Sequence, residues 1–227
     1  MSTIQLVVFD IAGTTVQDRG DVAQAFIGAF RESGIAIPEE DVKKVMGFRK
    51  IDAIRRLLEK FGPADEALIE KIHARFIDNM ISFYLLDEDL RPMPHAERVF
   101  STLKQQGMKI ALNTGFTRAI TDTILRRLHW EDRQDLIDRV ICSDEVPEGR
   151  PSPHMINALM TALGIKSPSH VLKIGDTEVD VQEGRNAGVR KVVSVTTGAY
   201  TREQLQQYRP DHIIDDLGEL IPIIEQA

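Results

Sequence analysis

The feature that most constrains this chain is a short, almost wholly apolar run that stops at a carboxylate. Ile4-Gln5-Leu6-Val7-Val8-Phe9 ends at Asp10. So short a run of Val, Leu, Ile and Phe reads as a strand buried on both faces, the kind found in parallel sheets covered by helices. Similar runs recur at residues 108–112, 140–142, 171–174, 192–195 and 212–214. Helical spacing separates them. Residues 96–103 lead into Gly107, and residues 120–128 follow Thr117. Met155, Ile156, Leu159, Met160 and Leu163 stop at Gly164. Strands alternating with helices predict an α/β fold, a Rossmann-like core with an open and mostly parallel sheet.

Residues 17–90 break the alternation. Val22, Ala25, Phe26, Ala29 and Phe30 keep helical spacing up to Gly34, and a second helix begins after Pro38. Ile51, Ile54, Leu57 and Leu58 mark a third helix, and Leu68, Ile72, Phe76 and Met80 a fourth. No strong strand candidate interrupts them. The expected organisation is a core of residues 1–16 and 91–227 with an all-helical cap at 17–90. Its hinges fall at 16–20 and 87–94, where charged residues, Gly and Pro gather.

The 28 basic and 35 acidic residues leave a net charge of −7, the wrong sign for a nucleic-acid-binding surface. A single cysteine, Cys142, makes no internal disulfide. No apolar stretch is long enough to span a bilayer, and the first ten residues lack a basic, apolar leader pattern. The expectation is a cytoplasmic protein with no nucleic-acid or membrane partner.

Four groups at strand ends and in loops could carry chemistry. Asp10 sits where open parallel sheets bind ligands, at the carboxyl end of the first strand. A carboxylate there can hold a metal, attack as a nucleophile, or simply cap a turn. Gly13, followed by Thr14, lets backbone amides turn toward an anion. Asn113-Thr114-Gly115 offers a hydroxyl and a glycine amide to a phosphoryl oxygen. Arg150, between Gly149 and Pro151, is either a phosphoryl clamp or a solvated loop residue. Asp176 and Asp180 share one helical face if a helix begins there, and strand-end carboxylates suit Mg²⁺; an N-cap role for Asp176 is the alternative.

Asp10, Thr114, Arg150 and Asp176 follow one another at spacings of 104, 36 and 26 residues. In that order they resemble the four motifs of the haloacid dehalogenase superfamily, and the helical insert after the first motif matches its cap. The resemblance implies that Asp10 is the nucleophile of an aspartyl-phosphate. It places Mg²⁺ between Asp10, the Ala12 carbonyl and Asp176, with Asp180 in support. Gly13, Thr14, Thr114, Gly115 and Arg150 would hold the phosphoryl group. Two departures narrow the resemblance: Ala12 stands where phosphatases of the superfamily have a second Asp, and Arg150 stands where most members have a lysine. Both are features of the phosphonatase-like group, relatives of the phosphonoacetaldehyde hydrolases. Asp10-Ile-Ala-Gly-Thr-Thr15, Met46-Gly-Phe-Arg-Lys-Ile-Asp52, Thr114-Gly-Phe-Thr-Arg118, Val146-Pro-Glu-Gly-Arg-Pro151 and Gly175-Asp-Thr-x-x-Asp-x-x-Glu-Gly-Arg-Asn-Ala-Gly188 are similar to that group too.

By this resemblance Lys50 forms a Schiff base with the substrate carbonyl. Its own setting is compatible. It falls near a helix start and on the apolar stripe of Ile54 and Leu57, and both conditions disfavour an ammonium. A snorkelling surface lysine is the alternative. Three positions depart from the phosphonatase pattern: Ala53 replaces a histidine, Phe116 a tyrosine and Gly20 a cysteine. The expected substrate is a small phosphonate, with a phosphate ester of the phosphoglycolate phosphatase type as the alternative. Pairing of two copies through the caps is also implied, with Phe26 and Phe30 either at that interface or inside the cap.

Overall fold

A computed structural model describes residues 4–226; residues 1–3 and 227 of the expected core segments lie outside the described residues. The six apolar runs form β1 (Leu6–Phe9), β2 (Lys109–Thr114), β3 (Arg139–Cys142), β4 (Val171–Gly175), β5 (Lys191–Val195) and β6 (His212–Ile214). They make one sheet in the order β3-β2-β1-β4-β5-β6, and all its pairings are parallel. β1 pairs on one side with β2 and on the other with β4, so the order reverses at β1. A crevice opens at the carboxyl ends of strands at such a reversal.

Both faces of the sheet are covered, which is why the strands read as unbroken apolar runs. Val7 and Phe9 point into the larger apolar cluster and Leu6 and Val8 into the smaller one, with the period of two that a strand imposes. In chain order, the helices are α1 (Asp21–Glu32), α2 (Glu39–Lys43), α3 (Lys50–Phe61), α4 (Glu66–Leu86), α5 (Ala96–Gln105), α6 (Arg118–Arg127), α7 (His154–Leu163), α8 (Glu178–Ala187), α9 (Arg202–Gln207) and α10 (Leu220–Glu225). The short α9 and α10 carry too few residues for a periodic signal. No helix among the described residues is long and apolar enough to cross a membrane.

Helices α1–α4 follow β1 with no strand between it and α5 among the described residues. The chain leaves and returns side by side: Met93 N–H donates to Thr15 O at 2.8 Å and Gln17 N–H to Arg91 O at 3.2 Å. Arg127 of α6 ties down the far end of α4 by donating to the carbonyls of Leu85 and Asp87. Phe26 and Phe30 are fully buried, and Phe26 stacks on Phe76 of α4 at 4.4 Å between ring centres. They therefore hold the helical insert together rather than present a face to a partner.

Candidate active site

Each strand-end group arrives where its strand delivers it. Asp10 follows β1, Thr114 closes β2 and Asp176 follows β4, so the register of three adjacent strands brings them to one crevice. Carboxylate oxygens of Asp10, Asp176 and Asp180 lie within 4.8 Å of one another, all three residues buried. Asp176 caps no helix. The N-cap of α8 is Thr177, whose hydroxyl and amide both meet Asp180 Oδ2, at 2.6 and 3.2 Å. Asp176 instead accepts the Ala199 N–H at 2.7 Å and the Thr14 hydroxyl at 3.2 Å. Asp176 thus precedes the helix that carries Asp180, so the two carboxylates do not share a helical face.

Arg150 is a buried cation, not a solvated loop residue. Its Nη2 lies 2.7 Å from Asp10 Oδ1, off the hydrogen-bond axis, so that oxygen and Arg150 Nε both lack a hydrogen-bond partner. Its Nη1 meets Asp180 Oδ1. Lys173, 3.0 Å away, shares that same oxygen. All four lone-pair sites of Asp180 therefore face protein donors. Asp10 and Asp176 keep free lone pairs, and no hydrogen bond to the Ala12 carbonyl is found among the described residues.

This donor set fits a divalent cation. Three buried carboxylates (Asp10, Asp176 and Asp180), with the Lys173–Glu183 pair behind them, face two further buried basic side chains, Arg150 and Lys50. With all of them ionised one negative charge remains, and two when the Lys50 amine is neutral. Burial pushes the Asp10 and Asp176 carboxyls up, Asp176 well above its ordinary range because Asp10 and Asp180 add their repulsion. Against the same burial, Arg150 and Lys173 hold Asp180 down at about 2. Asp10, Asp176 and the Ala12 carbonyl would thus take the ion, a hard oxygen-liganded one such as Mg²⁺, and Asp180 would orient Arg150.

The turn after β1 is stitched internally. The Gly13 N–H donates to Val16 O at 2.8 Å and the Thr14 N–H to Ile11 O at 3.3 Å, so these two amides shape the turn rather than face an anion. Gly13 has φ +82°, and a Cβ there would lie 2.8 Å from Asp176 Oδ2. The Thr114 hydroxyl accepts the Phe116 N–H at 3.1 Å and lines the cavity beside Gly115 and Arg150.

Lys50 reaches this cavity from the insert. It is the first residue of α3 and only 4% exposed. No carboxylate pairs with it among the described residues; its Nζ lies 4.9 Å from the Phe116 ring centre and 5.6 Å from that of Phe26. Burial, then the Arg150 charge, bring it down to about 8, against the pull of Asp10, Asp18 and Asp176. The segment before it is seated on the core. Arg49 donates to Pro147 O at 3.2 Å, and a Cβ on Gly115 would strike the Phe48 carbonyl. The cavity left among Asp10, Ala12, Val22, Met46, Lys50 and Phe116 is about 20 Å³, room for roughly one water. Ala53, where the histidine was missed, is fully buried, and Gly20 stands over open space.

Lys173 and the loop ending at Ala199 were not singled out from the sequence, and Glu183 entered only within the match that runs from Gly175 to Gly188. Lys173 did leave a signal, as the one charge inside the apolar run at residues 171–175. Ala199 acts through its backbone N–H and leaves none.

A family model for haloacid dehalogenase-like hydrolases matches residues 4–188. A phosphonoacetaldehyde hydrolase of Bacillus cereus is 35% identical over 199 residues, covering 82% of this chain and 74% of that one. In fold, the chain is similar to a phosphonoacetaldehyde hydrolase-like protein from Oleispira antarctica, with a TM-score of 0.84 at 22% identity over 99% of this chain and 92% of that chain. It is also similar to a predicted phosphoglycolate phosphatase from Haemophilus somnus 129pt, with a TM-score of 0.82 at 22% identity over 98% and 99% of the two chains. The chain belongs to the haloacid dehalogenase-like hydrolases. It is a hydrolase, related to the phosphonoacetaldehyde hydrolases.

Proposed function

We propose that this hydrolase cleaves the carbon–phosphorus bond of a small 2-oxo-phosphonate. The observation that carries this reading is Lys50, an amine without a carboxylate partner, brought down to about 8 and buried in the cavity that Asp10 also lines. A phosphate-ester hydrolase would use a lysine here only as an ammonium, whereas a carbonyl substrate needs the neutral amine.

In this reading the Lys50 amine adds to the substrate carbonyl and water leaves, giving a protonated imine. Asp10 attacks phosphorus. The carbon–phosphorus pair moves into the imine, which becomes an enamine, and the phosphoryl group passes to Asp10. Protonation at carbon and hydrolysis then free the carbonyl product and Lys50, and water releases phosphate from Asp10. Ala12 fits, because a carbon leaving group that drains into an imine needs no acid at that position. Arg150 and Thr114 hold the phosphoryl oxygens. Mg²⁺, held by Asp10, Ala12 and Asp176, would supply positive charge against the phosphoryl oxygens. The nearly filled cavity implies that the insert opens to admit substrate and closes to exclude water. Pairing of two copies through the insert rests on family resemblance alone, and a single 25 kDa species in sedimentation would remove it.

Phosphate release from matched 2-oxo-phosphonates and phosphate esters, in MgCl₂, tests the reading. It predicts faster release from the phosphonates. Preference for the esters would replace it with a phosphomonoesterase.

A further inference from the structure

Beneath the catalytic crevice lies a buried polar network that the chemistry above does not use. Lys173 of β4 is completely buried. Its Nζ has three N–H groups and three acceptors: Asn113 Oδ1 at 2.6 Å, Asp180 Oδ1 at 3.0 Å and Glu183 Oε2 at 3.3 Å. Asn113 returns the contact by donating to both Glu183 oxygens at 2.8 and 2.9 Å. The strands concerned lie on opposite sides of β1, since Val8 is in register with Lys173 on one side and Ala111 on the other. One side chain therefore ties β2 to β4 across β1.

What it ties is specific. Asn113 is the neighbour of Thr114. Asp180 Oδ1, the atom Lys173 holds, is also the atom that Arg150 leans on. Both side chains assigned to the phosphoryl oxygens are thus one link from the Lys173 Nζ. A lysine needed only to neutralise Glu183 would not have to reach either of them.

We propose that Lys173 is a positioning residue for the phosphoryl site, fixing Thr114 through Asn113 and Arg150 through Asp180. This rests on the reading of Thr114 and Arg150 as phosphoryl-binding groups. Outer partners of a charged site commonly change affinity or activity by about 10- to 100-fold when removed. Burying one charge without its partner also destabilises a fold, so the two effects have to be separated.

The experiment measures inorganic phosphate binding by calorimetry in saturating MgCl₂, together with the melting temperature, for Lys173→Met, Glu183→Gln and the double variant. Lys173→Met is expected to melt lower and to bind phosphate at least about tenfold more weakly. Glu183→Gln keeps the Lys173 links to Asn113 and Asp180 and changes the charge behind them, so it is expected to lose less phosphate affinity than Lys173→Met does. The double variant leaves no lone buried charge at this pair, so its melting temperature recovers while its phosphate affinity stays low. Recovery of both would overturn the proposal and make Lys173 a mere partner of Glu183. If Lys173→Met does not fold, Asn113→Ala decides instead. It leaves every charge in place, and wild-type phosphate affinity in that variant would overturn the link through Asn113. A wild-type protein that binds no phosphate would remove the phosphoryl-site reading itself, whereas wild-type affinity in a folded Lys173→Met variant would remove this inference alone.

Discussion

Two lysines are buried where both act on the charge of Asp10, one at the edge of the helical insert and one in the middle of the sheet. Lys173 has three acceptors around its ammonium. Lys50 has two aromatic faces and, among the described residues, no carboxylate partner. The difference shows that burial alone does not make an amine available to a carbonyl. The partners decide: a lysine enclosed by acceptors is held as a brace, and a lysine enclosed by rings is lowered to about 8. The same contrast separates the regions that carry them. The sheet ends fix charge, and the insert brings a buried amine between two aromatic rings.

Both regions converge on Asp10, and its removal has the largest expected effect. Asp10→Asn keeps the shape of the turn but loses the nucleophile, and phosphate release should fall by at least about 10³-fold. Turnover near the wild-type rate would end the account of both regions at once. Lys50→Arg comes next. A guanidinium stays protonated and forms no imine, so carbon–phosphorus cleavage should fall by about 10²–10⁴-fold while the circular dichroism spectrum stays native.

The pH dependence sharpens the contrast. Below about 8 the Lys50 amine is increasingly protonated, and at pH 7 roughly a tenth is neutral. Imine formation should therefore rise with pH and level off above 8. A flat profile from pH 6 to 9 would mean that Lys50 is not the reacting amine. The smallest effect is expected at the metal side. In Gly13→Ala the added methyl would meet Asp176 Oδ2 at 2.8 Å from a φ of +82°. Mg²⁺ affinity measured by calorimetry should weaken several-fold, with little change in Lys50 chemistry. Unchanged affinity would count against Asp176 as a ligand.

The sheet was legible because strands buried on both faces write themselves as apolar runs, and three of the six runs lead to residues of the site, Asp10, Thr114 and Asp176. The four helices between β1 and α5 were legible from helical spacing, and Phe26 and Phe30 do lie on one buried stripe. What that stripe faced was open, because an apolar stripe has the same spacing at an interface as in a core. Asp176 was harder. Two carboxylates four residues apart suggest one helical face, but the helix starts two residues after the first of them, and Thr177 takes the cap. The amides of Gly13 and Thr14 looked free because a glycine turn is written in sequence while its internal hydrogen bonds are not. Lys173 was hidden by its context, since a charge inside a strand is read as an imperfection of the run until its partners on β2 and α8 are seen.

The central claim is that Lys50 reacts with a carbonyl carbon. Incubating the protein with a 2-oxo-phosphonate and borohydride, followed by peptide mass spectrometry, tests it most directly. The account predicts irreversible inactivation and a reduced adduct of substrate-derived mass on Lys50, absent in Lys50→Arg. Full carbon–phosphorus cleavage by Lys50→Arg, with no adduct in the wild type, would contradict it.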